Sequence, residues 1–232
     1  MTAELFALCF DANDPERLAR FWAEILGREV GEDLSLDPVH DPGLRIRFRP
    51  SAAVKNGPNK MHFDLTSTSP EDQQAKVDRA ITAGARRLDI GQGPDALHVV
   101  LADPEGNEFD VIEPGNRFLA GTDLIGAVSS DGTQELGYFW SAALGWPLVW
   151  DQNQETAIQS PRGGTKITWG GPPLNPRSGR EPHFDLVAPP EEVARLVSLG
   201  ATRTGTGAPD GVVLMTDPDG NDFCVLTGGH AA

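Results

Sequence analysis

The sequence predicts an α+β chain of two tandem halves, each running strand, helix and then several strands twice over. Three observations predict it. "RFWAEILG" from Arg20 returns as "YFWSAALG" from Tyr138, and "HFDL" at His62 returns at His183. "AGA" at Ala83 is answered by "LGA" at Leu199. "DPEGNEFDVIE" from Asp103 returns as "DPDGNDFCVLT" from Asp217. The landmarks keep one order at offsets of 118, 121, 116 and 114 residues, as a duplication does and a shared composition does not. The Pro/Gly-rich "EPGNRFLAGT" separates the copies and gives units at 1–116 and 122–229.

The elements follow in order. "ELFALCF" is a short apolar run and reads as a strand, with Phe6, Leu8 and Phe10 toward a helix and Ala7 and Cys9 on the other face. A helix follows in "NDPERLARFWAEILG". Asp14 suits the N-cap, Pro15 the first turn and Gly27 the C-terminal stop, while Leu18, Phe21, Trp22 and Ile25 form one apolar stripe. "LRIRFR" alternates strictly, which sets Leu44, Ile46 and Phe48 against a helix and Arg45, Arg47 and Arg49 opposite. "MHFDLTS" is the next strand, followed by a helix from about Pro70 to Ala83 and by the strands "LHVVLA" and "NEFDVIE". The second half repeats this order, and the sheets are expected to be of antiparallel type. "DP.GN" itself is first of all a turn, in which Pro fixes φ and Gly accepts positive φ.

A formal net charge of −15 lacks the basic footprint that nucleic acid or an anionic membrane requires. Two cysteines make no disulfide framework, which points to a reducing compartment. No basic n-region opens the chain, and no run approaches the roughly 18 apolar residues of a membrane span. A cytoplasmic protein is expected.

On "RFW.EILG" with "YFW.AALG", "HFDL" twice, and "DPEGNEF" with "DPDGNDF", the chain resembles the vicinal oxygen chelate superfamily, the glyoxalase/bleomycin-resistance/dioxygenase group, along nearly its whole length. The resemblance implies four βαβββ modules forming two tandem glyoxalase-like domains, with modules paired into cups that hold a ligand inside and helices outside. It also implies, for metal-binding members, three ligands: one on the first strand, the "HFDL" histidine, and a carboxylate ending the "DP.GN" strand. Here the first-strand position falls near Ala7 and near Ile125, neither a ligand, and the carboxylate is Asp110 in one half but Cys224 in the other. The implied metal set reduces to His62 and Asp110, so a divalent metal is the one cofactor the resemblance admits.

Strand alternation turns His62 and Asp64 away from the helices, and Asp110 with them. The candidate ligand-binding residues are therefore His62, Asp64, Arg45 and Arg47, with His183 in the second half and Trp150 and Trp169 as aromatic walls. Lys166, Thr168 and Gly170 stand at the points matching the three arginines, so the two cups differ in chemistry. His98 matches Val212 and reads as ordinary. Cys9 and Cys224 read as small apolar fillers, unless the first and last modules pair. In that case they meet His183 in one cup, where thiolates favour a soft metal such as zinc.

Two functions compete. One is a protein that binds a small organic molecule, in the manner of resistance proteins, without a complete metal triad. The other is a divalent-metal-dependent lyase or isomerase using His62 and Asp110. Neither half holds the two-His, one-carboxylate set of a ring-cleaving dioxygenase. The expected partner is a small molecule, and the expected state is a monomer with an internal pseudo-dimer or a homodimer.

Overall fold

The computed structural model describes residues 2–40, 42–93, 95–172, 174, 176, 179–205 and 211–228. The first module runs β1 (Glu4–Ala12), α1 (Pro15–Leu26), β2 (Ser35–Leu36) and β3 (Ile46–Pro50). The second runs β4 (Met61–Leu65), α2 (Pro70–Ala83), β5 (Arg86–Arg87), β6 (Val99–Ala102) and β7 (Glu108–Val111). The third runs β8 (Ile125–Ser130), α3 (Gln134–Leu144), β9 (Leu148–Gln152), β10 (Glu155–Ser160) and β11 (Gly163–Trp169). The fourth runs β12 (His183–Val187), α4 (Glu192–Ser198), β13 (Thr202–Arg203), β14 (Val212–Thr216) and β15 (Asp222–Leu226).

Local chemistry explains the helix ends. Asp14 accepts the Arg17 backbone N–H at 3.0 Å, and Ser69 does the same for Asp72 at 3.1 Å. Gly27 closes α1 at φ 63°, a conformation that costs a β-carbon-bearing residue and suits glycine. Behind these caps Leu18, Phe21, Trp22 and Ile25 are all buried, as their spacing predicts.

The strands form two mixed sheets, in the orders β13-β14-β15-β12-β1-β3-β2 and β5-β6-β7-β4-β8-β11-β10-β9. The expectation of antiparallel-type sheets is corrected here. In each module the first strand runs parallel to the last: β1 with β3, β4 with β7, β8 with β11 and β12 with β15. The helix acts as a crossover that returns the chain in its original direction, and a two-residue turn cannot do this. The first module carries three strands among the described residues, one fewer than the resemblance implies.

Sheet membership crosses the halves. The first and fourth modules share one sheet through β1 and β12, and the second and third share the other through β4 and β8. Each half is held together instead through its helix-side core. Trp22 packs its ring on Phe63 and Phe109 with centroids 5.1 and 5.0 Å apart, and Trp140 repeats this on Phe184 and Phe223, both at 5.2 Å. The two repeated phrases meet at these indoles. Trp22 Nε1 donates to Asp103 at 3.2 Å, and Trp140 Nε1 donates to Asp217 at 3.4 Å. The "DP.GN" turn therefore does more than turn: its buried aspartate satisfies the indole of the preceding module's helix. No helix among the described residues is long and apolar enough to cross a membrane.

Candidate functional site

Away from the helices each sheet presents a polar face, and the two faces are built from corresponding positions. The inner cup belongs to the second and third modules, the outer cup to the first and fourth. In the inner cup His62 pairs with Ser129 and Asp64 with Ala127 across β4 and β8, while Asp64 lies beside Asp110 on β7. In the outer cup His183 pairs with Cys9 and Asp185 with Ala7, while Asp185 lies beside Cys224. The first-strand counterpart of Ala7 is thus Ala127, two residues beyond the Ile125 expected from the offset. Both halves carry the same bulge, at Phe6 and at Gly126, so the slip comes instead from a strand-to-helix connection about two residues shorter in the third module.

The floor of the inner cup is a histidine between two carboxylates. His62 Nε2 lies 3.5 Å from Asp64 Oδ1 and 3.8 Å from Asp110 Oδ2, and Ser129 Oγ donates to Asp64 Oδ2 at 2.5 Å. His62 is half-buried. Burial works against its charged form, but the hydrogen bond to Asp64 and the charges of Asp64 and Asp110 outweigh burial and raise it above the ordinary histidine value. Burial pushes Asp110 up to about 6 despite the opposing influence of His62. His98, read from sequence as ordinary, stands near enough to act on Asp110 and lines a cavity of about 660 Å³ with Val100, the strand partner of Asp110. Alternation along "LHVVLA" carried that signal, because His98 and Val100 share a face.

The aromatic wall is half of what the sequence predicts. Trp150 lies on the cup face opposite Ala157, stacked edge-on against Phe118 at 6.1 Å, with its indole nitrogen unpartnered. Phe118 comes from the segment joining the halves, and Lys166 caps its ring at 4.6 Å while donating to its carbonyl. Trp169 is corrected: it is 1% exposed and packed in the helix-side core. The same alternation that turns Thr168 into the cup must turn Trp169 out of it.

The outer cup is an ion network. Cys9 Sγ donates to Asp185 Oδ2 at 2.8 Å, Arg47 Nη1 reaches the same oxygen at 3.4 Å, and Arg49 Nη2 donates to His183 Nε2. Arg49 also pairs with Asp11 at 3.6 Å, and Arg45 pairs with Asp33 and Asp37 at 3.3 and 3.1 Å. The arginines therefore face the cup as predicted, but carboxylates of this chain already engage them. Phe6 joins them, sandwiched under Arg45 and Arg47 at 4.8 and 5.6 Å. This corrects its assignment to the helix side: a bulge between Leu5 and Ala7 shifts the alternation, so Leu5 packs on the core and Phe6 faces the cup. Burial, then Asp185, raises the Cys9 thiol well above its ordinary value, and burial pushes Cys224 up to about 11. Burial and Arg49 lower His183, the reverse of His62. Both thiols are free. Their strands flank β12 on opposite sides, about 10 Å apart, which is too far for a disulfide.

Paired strand–helix–strand modules with polar faces turned away from the helices define a class of cup-shaped folds. The chain belongs to the glyoxalase-like domain family, whose model matches residues 7–112 and 127–226. Its fold is similar to glyoxalase I from Zea mays, at 12% identity and TM-score 0.64, covering 97% of this chain and 92% of that one. A V278E mutant of the maize enzyme gives 13%, 0.65, 97% and 92%. A putative dioxygenase from Bacillus subtilis subsp. subtilis str. 168 gives 14% and 0.61, covering 97% and 84%. No curated protein matches the chain in sequence. At these identities the likeness concerns the fold.

Proposed function

We propose that the chain binds a small organic molecule in the inner cup, with His62, Asp64 and Asp110 as the polar floor and Trp150 and Phe118 as aromatic wall. One observation carries this reading. The His62 imidazole lies between two carboxylates, where a cation would otherwise sit, so the chain's own group offsets part of the floor's negative charge. A few polar anchors beside an aromatic wall suit a ligand held mostly by apolar contact, and a cavity of about 660 Å³, lined by His98 and Val100 and by none of these five residues, opens toward the sheet edge next to Asp110. The test is fluorescence titration with the neutral aromatic probe N-phenylnaphthylamine. His62→Ala is expected to weaken binding about tenfold by freeing Asp64 and Asp110, which His62 holds in place to accept the probe's N–H, and an unchanged affinity overturns the assignment.

A second reading is favoured by one specific observation: ligand atoms of His62, Asp64 and Asp110 all lie within 4.8 Å of one another. One imidazole and two carboxylates fit a divalent cation such as Mn²⁺, and the facing module adds the hydroxyls of Ser129 and Thr168. Such an ion would polarise an oxygen of the bound molecule. Stoichiometric Mn²⁺ binding that is lost in His62→Ala, read by calorimetry, selects this reading over the first.

A further inference from the structure

A crevice between the two halves touches the floor of neither cup, and corresponding segments of the halves form its walls. Leu44 and Arg45, on the approach to β3, face Thr165 and Ile167 of β11. Register makes these segments equivalent, because Ile46 pairs with Leu8 as Ile167 pairs with Val128. Two glycines let the walls close. A β-carbon at Gly164 would stand 2.6 Å from the Pro42 carbonyl oxygen, and one at Gly43 would stand 2.8 Å from that of His40. Arg28 holds the first wall by donating to the Leu44 carbonyl at 2.7 Å. Thr165 holds the second by donating to the Ile125 carbonyl at 2.8 Å. The crevice is therefore built by the fold before any ligand arrives.

Its lining has an apolar part, with Leu5, Leu44 and Ile167, and a cationic part, with Arg45 and Arg162. Ser160 joins the cationic part: its Oγ accepts the Arg162 backbone N–H at 3.2 Å, which leaves its own O–H able to donate. Among the described residues no carboxylate lines the crevice, in a chain of net charge −15. The other cavities carry Asp11, Glu113 and Asp89. Asp33 and Asp37 pair with Arg45 from outside the crevice and are themselves 47% and 71% exposed, so an anion within competes with solvated pairs that are worth little.

We infer that this crevice binds a small aliphatic carboxylate, its anionic end toward Arg45 and Arg162 and its carbon chain on Leu5, Leu44 and Ile167. The volume, about 80 Å³, sets the size of the ligand. An apolar cavity of about 150 Å³ holds one benzene, so an aromatic ring is excluded and a chain of a few carbons fits. A guanidinium meets a carboxylate with two parallel N–H donors and charge on both sides, and a neutral amide of the same shape forfeits that charge. Each half contributes one wall, so the ligand bridges the halves.

The experiment is calorimetric titration of the full chain with butyrate, and with butyramide as its neutral isostere, at constant ionic strength near neutral pH. One butyrate per chain is expected, about tenfold tighter than butyramide. Arg45→Gln is expected to weaken butyrate about tenfold. Arg162 is exposed, so Arg162→Gln removes charge without threatening the fold, and about threefold is expected there. Folded His62→Ala chain is expected to keep the wild-type affinity, which separates this site from the inner cup. A wild-type chain that takes up no butyrate overturns the inference however the variants fold, and so does butyramide binding as tightly as butyrate. Full affinity in both arginine variants, or loss of butyrate binding in folded His62→Ala chain, overturns it as well.

Discussion

The inner and outer cups differ at one layer and agree everywhere beneath it. Each has an "HFDL" strand, a first-strand partner and a "DP.GN" strand in the same register, and each rests on a tryptophan bonded to the turn aspartate. Above that frame the inner cup sets His62 between Asp64 and Asp110, half-open. The outer cup closes Asp185 and His183 beneath two arginines and two thiols, with side chains 0% and 8% exposed. Because the helix-side core lies on the opposite face of each sheet, the cup face can change while the frame is kept. The difference at Asp110 and Cys224 is one such change: a carboxylate holds a proton or a cation beside an imidazole, whereas a buried neutral thiol serves only when a metal or a base takes its proton.

The comparison is broken most severely at the shared frame. Trp22→Ala and Trp140→Ala each remove a buried indole packed among several phenylalanines and bonded to a buried aspartate. Each is expected to cost about 4 kcal/mol in chemical denaturation. A much smaller loss from one of them would show that the halves do not share a frame. Next is the carboxylate of each "HFDL". Asp185→Ala leaves the Cys9 thiol and the partly exposed Arg47 without their shared acceptor, at about 2–3 kcal/mol. Asp64→Ala strips a more open position of the Ser129 hydroxyl bond and the His62 contact and is expected to cost about 1 kcal/mol. The order of these two losses tests which cup is the more structural.

Ligand binding sharpens the contrast further. His62→Ala is expected to weaken binding of N-phenylnaphthylamine about tenfold, as above, and His183→Ala less than twofold, roughly 0.4 kcal/mol. Equal losses would mean two equivalent cups, and a larger loss from His183→Ala would move the working site to the outer one. The smallest effect is the response to pH. Asp110, pushed up to about 6, is roughly half protonated near pH 6, so Mn²⁺ affinity in the inner cup should fall about twofold from pH 7 to pH 6 on its account. The stability sign is opposite. Asp110 and His62 both hold a proton more tightly when folded. Their contribution is fully present at low pH, and it is lost as pH rises through about 6 for Asp110 and then above the ordinary histidine value for His62. Calorimetry and thermal melts across that range check the two signs separately.

Much of this was legible in the chain. The repeats announced the duplication, Asp14, Pro15 and Gly27 bounded α1, α2 was read at about Pro70 to Ala83, and period-two alternation put His62, Asp64, Asp110 and the three arginines on the face away from the helices. These are local properties, set by neighbours a few residues apart. What the tertiary structure alone decided is which modules share a sheet. First strands join through backbone hydrogen bonds that are indifferent to side chains, so no local signal says that β1 pairs with β12 and β4 with β8. That pairing brings Cys9 to Asp185 across 176 residues of chain and Ser129 to Asp64. A single bulge, equally silent in sequence, turns Phe6 under the arginines, because one extra residue in a strand reverses the face of everything before it.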